Sequence, residues 1–228
     1  MQNKNIKSNL LRKVLRVSTN PLTVFRTEVS RKTILGRHTV RQYSPNQFWG
    51  FEHSNLSQVQ ANLKFNLVDH ISNSFKSTKS PVVVDFGCGM GTALASLSQR
   101  KELLGAKFYG FADLLYKEWF LSDREKVNFI HGTVSDFNRY FKSNSVDLIY
   151  SHKGLKTVPN SPIYIFQMLS CLRKNGKLVT DLSFTHRKQF IDIFLKKELI
   201  SLDGHNYKIE QINTEQNKDG ELIITRIN

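Results

Sequence analysis

The stretch VVVDFGCGMGTALASLSQR, Val82 to Arg100, constrains this chain more than any other. An apolar run leads to an acid, then to three glycines at alternate positions, then to a helix-forming segment. The run "VVVDF" suits a strand covered on both faces, as in a parallel sheet. Gly87, Gly89 and Gly91 stand where that strand turns into the helix. In a doubly wound sheet, ligands bind outside the carboxyl ends of the strands. Glycine there reaches left-handed torsions and lets the backbone come close to a ligand. The spacing is G-x-G-x-G, which differs from the G-x-G-x-x-G of a dinucleotide fingerprint. No Lys-Ser or Lys-Thr follows, so it is not a P-loop. Asp85, two positions before the first glycine, would repel a pyrophosphate and attract a cation.

The rest of the chain supplies the sheet that this turn requires. "SNLSQVQANLKFNLVDHISNSF", Ser54 to Phe75, predicts one helix, with Leu56, Val59, Leu63, Leu67 and Ile71 at helical spacing and Ser54 or Ser57 as its cap. After Val82 the pattern alternates. The strands are "VVVDF", "AKFYGFA", "VNFIHG", "VDLIYS" and "GKLVTDLS". The helices are "TALASLSQR", "YKEWFLSD", "SDFNRYFK", "SPIYIFQMLSCLRK" and "HRKQFIDIFLKKELI". "HNYKIEQI" and "ELIITRI" then read as two strands, with Asp219-Gly220 as a turn signal between them. The expected fold class is α/β: a doubly wound, mostly parallel seven-stranded sheet with a C-terminal antiparallel hairpin, plus a basic N-terminal helical extension. Residues 1–55 form the extension or cap, and residues 56–228 the domain.

Charge is the second constraint. From Met1 to Arg41 there are ten Lys or Arg and one acid, Glu28, which gives +9 of the net +14. An excess of that size favours an anionic partner, such as nucleic acid or an anionic membrane surface. A solvated basic face is the plainer reading. Ile6, Leu10, Leu11, Val14 and Leu15 follow helical spacing among Lys7, Arg12, Lys13 and Arg16. An amphipathic, acid-poor start of this kind fits a mitochondrial presequence or a helix lying on the domain. With two cysteines, Cys88 and Cys171, the chain has neither a disulfide framework nor a four-cysteine metal site. A reducing, cytoplasmic setting is expected, or a mitochondrial one if the arm is a presequence. No apolar run approaches the ~20 residues of a membrane span. No metal site is expected.

A ligand carrying both an ammonium and a sulfonium answers the acid beside the glycines, and S-adenosylmethionine (SAM) carries both. Here the chain resembles the class I SAM-dependent methyltransferases, over about residues 60 to 228. "VVVDFGCGMG" matches their first motif, and implies cofactor contacts at Asp85, Gly87, Cys88, Gly89 and Gly91. Asp113, in "FYGFADLL", stands 22 residues beyond Gly91. It matches the family's acid for the ribose hydroxyls, with Leu114 beside it and one extra residue in the local pattern. "VNFIHGTVSDF" matches the third motif. Thr133 follows Gly132 where an acid is usual, so the adenine contact falls to Thr133 and Val134 or to Asp136. "VDLIYSHKGLKTVPNSPIYIFQMLSCLRKNGKLV" resembles the fourth and fifth motifs of the family that acts mostly on small molecules, and brings Ser151 to the cofactor. Lys156 and Thr157 replace that family's usual Glu-His, and add positive charge near the mouth of the site.

The resemblance implies methyl transfer from SAM to an acceptor that is not identified by sequence, with RNA as one candidate. A small molecule or a protein is the alternative acceptor, and a catalytically inactive, nucleic-acid-binding methyltransferase fold is the alternative class. The catalytic residues are not assigned. His152 is the candidate base, against a residue that only packs on the cofactor; a base is optional and depends on the acceptor's acidity. Cys88 and Cys171 read as apolar fillers.

Overall fold

A computed structural model describes residues 24–27, 40–43, 54–113, 115–155, 161–181, 198–214 and 217–228. Two short strands, β1 (Val24–Thr27) and β2 (Val40–Tyr43), pair antiparallel within the basic extension. The helical pattern over Ile6 to Arg16 lies outside the described residues.

The predicted helix over 54–75 is two helices, α1 (Leu56–Leu63) and α2 (Leu67–Ser74). Asn55, rather than Ser54 or Ser57, caps α1 in a reciprocal box with Gln58. Lys64 turns left-handed at the end of α1 (φ 44°), and Asn66 caps α2. Gln60 ties the two together, because its Oε1 accepts from the amides of Leu67 (2.9 Å) and Val68 (3.4 Å). The apolar spacing runs across the break, and all five residues that carry it are buried.

The domain is built on β3 (Val82–Phe86), α3 (Thr92–Ser98), β4 (Lys107–Ala112), β5 (Val127–His131), α4 (Phe137–Tyr140), β6 (Val146–Ser151), α5 (Ser161–Cys171), β7 (Leu172–Asp181), β8 (Leu199–Leu202), β9 (His205–Thr214) and β10 (Asn217–Arg226). The sheet order is β5-β4-β3-β6-β7-β10-β9-β8. β3 through β7 run parallel, and the last three strands join antiparallel. The expected sheet is therefore present, with β8 as an eighth strand at its edge. Leu199 and Ile200 belong to β8 and not to the end of a helix; residues 182–197, which hold the rest of that predicted helix, are outside the described set. Asp203 and Gly204 join β8 to β9, both with positive φ (51° and 76°), as a two-residue hairpin turn needs. Asp219-Gly220 lies inside β10 instead, where the pairing with β9 shifts register between Asn217 and Glu221. "YKEWFLSD" forms two 3-10 turns, Lys117–Phe120 and Ser122–Arg124.

Alternation fills both faces of the sheet. Val83, Leu148, Tyr150, Val179 and Ile223 pack under α1, α2 and α3. Val84, Phe86, Ile149, Leu178, Leu222 and Ile224 pack under α4 and α5. Cys171 sits in that second layer. Among the described residues, no helix is long and apolar enough to cross a membrane.

Candidate SAM-binding site

The sheet reverses direction of growth at β3, which is flanked by β4 on one side and β6 on the other. That switch point is where an open α/β sheet leaves a crevice. The chain turns there from β3 into α3 through Gly87 (φ 78°), Gly89 (φ 52°) and Gly91 (φ 75°). The first of them donates its amide to Phe111 O on β4 (2.7 Å). A Cβ on Gly87 would come 2.4 Å from Gly154 Cα, in the loop after β6. Backbone meets backbone there, and no side chain can yield.

Two buried side chains fix the turn from outside, and neither was singled out by the sequence. Trp119 donates its indole N–H to Gly89 O (2.8 Å), and Arg124 donates Nε to Met90 O (3.1 Å). Trp119 stacks on Phe129 of β5, with ring centroids 4.8 Å apart. Phe129 fills the space that side chains on Gly91 and Gly110 would need. The sequence held one hint of this, a glycine inside the strand "FYGFA", since glycine in a strand often marks a close approach.

Asp85 is 6% exposed, in register with Gly110 on β4 and Tyr150 on β6. Burial pushes its carboxyl up to about 7, against which the Tyr150 hydroxyl beside it pulls down. The proton affinity of this group is set by burial and Tyr150, without a cationic side chain among the described residues. A buried acid in that position is matched to a cationic ligand.

The other predicted contacts surround the same edge. Cys88 is buried against Trp119 and its neighbours, and burial pushes its thiol well up, which keeps it an inert filler. Asp113 is exposed at the end of β4, and its carbonyl meets the His131 ring at 3.1 Å. Leu114 lies outside the described residues. Thr133 donates its hydroxyl to Asp136 Oδ2 (2.6 Å), and Arg139 pairs with the other oxygen at 2.9 Å. The Asp136 carboxylate is thus engaged in capping the 3-10 turn Val134–Asp136, which begins with Val134. Ser151, at the end of β6, accepts the Leu155 amide at 3.0 Å. His152 is buried, with Nε2 at 3.0 Å from Asn62 Nδ2 of α1. Burial, then Lys153, lowers its pKa to about 4, so the ring is neutral near pH 7. Lys156 and Thr157 lie outside the described residues.

A family described as "Methyltransferase domain" matches residues 84–180, the span from β3 to the end of β7. Over that stretch the chain has the fold of a class I SAM-dependent methyltransferase domain. Solved methyltransferase structures share this fold. An rRNA methylase from Streptococcus thermophilus superposes with a TM-score of 0.50 at 16% identity, over 71% of this chain and 94% of that one. A chain from the Haloferax volcanii complex between the Trm112 methyltransferase activator and its methyltransferase partner gives 0.50 at 14% identity, over 78% and 93%. A Streptococcus mutans protein in complex with S-adenosylhomocysteine (SAH) gives 0.49 at 15% identity, over 72% and 99%. No curated protein sequence matches significantly. SAM is the cofactor of this methyltransferase family, and a buried acid beside three left-handed glycines fits it.

Proposed function

We propose that the protein transfers a methyl group from SAM to an acceptor, and that RNA is the acceptor to test first. The observation that carries the transferase reading is the buried, cation-free Asp85 beside the glycine turn at the sheet's switch point. In this reading Asp85 attracts the cofactor's cationic end. Gly87, Cys88, Gly89 and Gly91 present backbone to it, and Asp113 with Leu114 takes the ribose hydroxyls. Thr133 and Val134 line the adenine, and Ser151 closes the floor of the site.

Bound SAM supplies a methyl group already activated by its positively charged sulfur. The chain's part is then orientation and exclusion of water, which supply most of the effect in such a transfer. Trp119 and Arg124 hold the turn rigid by occupying its carbonyls. His152, neutral and bonded to Asn62, orients the acceptor side; with its pKa near 4 it is a weak base, which suits an acceptor that needs little proton removal.

RNA is favoured by the basic arm, Met1 to Arg41, with +9 of the net charge. The shared fold with an rRNA methylase points the same way. Incubation with tritiated SAM and pools of RNA, protein and small metabolites tests the function directly. Label in RNA alone is the expected result. Label in protein or metabolites moves the acceptor class, and no label in any pool removes the transferase reading.

A further inference from the structure

The carboxyl edge of the sheet continues beyond the glycine turn. β6 and β7 pair Ser151 with Thr180; Asp181 comes next along β7, His152 follows the end of β6, and the Lys153 amide donates to Asp181 Oδ1 at 2.7 Å. β7 and β10 pair Asp181 with Glu221. Tyr150, Val179 and Ile223 all face the layer under α1. Strand alternation therefore puts Asp181 and Glu221 on that same face, each two residues from one of these, and its bond to Asn62 puts His152 there too. Asn62 of α1 bonds His152 from above it.

Glu221 is the unexplained member of this row. It is 3% exposed, and its Oε2 meets no hydrogen-bond partner. Burial raises its pKa, Lys64 through space and then its own backbone N–H act against that, and Asp181 adds to it. A buried carboxyl oxygen without a donor is costly, and two acids directly opposite across a strand pair repel. An N–H donor that reaches Glu221 Oε2 removes the first penalty, and a cationic one offsets the second as well. Three strand spacings separate β3 from β10, about 14 Å. A group that neutralises Asp85 does not also reach Glu221.

We infer that Asp181 and Glu221, paired at the carboxyl edge of the sheet, form a subsite for an amino group of the methyl acceptor. The inference rests on the methyltransferase reading. It names the chemistry by which the acceptor is chosen, an amine offering N–H to carboxyl oxygens, whether a nucleobase amine or an alkylammonium.

The test uses four probes and the full-length protein, with and without saturating SAH, by saturation-transfer NMR. Cytidine is set against uridine, and n-butylammonium against n-butanol. The expected result is a preference of about tenfold or more for the amine in one of the two pairs, and the pair that shows it tells the source. Glu221→Met, which keeps the length and removes both carboxyl oxygens, should abolish that preference, and Asp181→Asn should weaken it, with SAH binding unchanged in calorimetry. The inference is overturned if neither pair shows a preference, or if the preference survives both substitutions. Failure of the wild-type protein to bind SAH would instead remove the methyltransferase reading, while the probe preferences of the SAH-free protein still report on the subsite.

Discussion

Among the described residues, Gly87 combines a positive φ with a neighbour that is backbone. Its positive φ and the 2.4 Å approach of an added Cβ to Gly154 Cα both exclude a side chain. Gly87→Ala should lower stability by about 1–3 kcal/mol, the cost of a strained backbone site, and abolish SAM binding; denaturant melts and calorimetry check both. Asp85 makes a sharper prediction. Its carboxyl is raised from 3.8 to about 7 in the folded chain. Between these values the native state holds a proton that the unfolded chain has lost. Its contribution is therefore full below about pH 4 and is lost as pH rises through 7. His70 and His152 run the other way: both fall from 6.5 to about 4, so their contribution is present above 6.5 and lost as pH falls toward 4. Comparing wild type with Asp85→Asn cancels the histidines. The stability difference, wild type minus variant, should drop by about 3 kcal/mol from pH 5 to pH 8, from two units of slope at ~1.4 kcal/mol each. A difference that does not move with pH contradicts the buried acid. Asp113→Ala should weaken SAM by about 1.5–3 kcal/mol if it takes the ribose hydroxyls; an unchanged dissociation constant sends that role elsewhere.

At the scale of elements, the sheet was readable because its strands are short apolar runs bounded by turns, and their order follows from the alternation with helices. What could not be read was set by polar side chains acting at a distance in sequence. The break at Lys64 is invisible in the apolar spacing, because Leu63 and Leu67 stay four apart on either side of it. It is made by Asn66 and by Gln60, whose side chain replaces backbone partners for the first amides of α2. Gln60→Ala should therefore cost about 1–2 kcal/mol in a chemical denaturation experiment, although the side chain touches no part of the cofactor turn. The edge strand β8 was missed for a related reason: Leu199 and Ile200 end a stretch with helical periodicity, and the Asp203-Gly204 turn that recruits them lies after it. In the site, Asp85 and the glycines were readable from local spacing. Trp119, Arg124 and Glu221 were not, since the bonds of the first two to the turn and the strand pairing of the third with Asp181 span 30 or more residues of chain. Trp119→Phe keeps the stack on Phe129 and removes only the bond to Gly89 O. It should weaken SAM by about 1 kcal/mol and leave the fold intact, as calorimetry with circular dichroism would show.

For the whole molecule, the charge is divided: +9 in residues 1–41 and +5 in the remainder, the difference from +14. If the arm binds RNA, affinity should fall with salt at a slope near −0.7 per neutralised phosphate on a single strand. Removing residues 1–43, with both strands of the ribbon, should weaken RNA binding without sequence dependence and leave SAM binding unchanged. A targeting segment would be dispensable for both, and a lid over the site would alter SAM affinity. Each of these outcomes presupposes that the turn after β3 holds SAM. Calorimetric titration of SAM and SAH into the folded, full-length protein tests that claim most directly. One-to-one saturable binding, lost in Gly87→Ala and weakened in Asp113→Ala, is the predicted result. No binding by wild-type protein that melts cooperatively would contradict it.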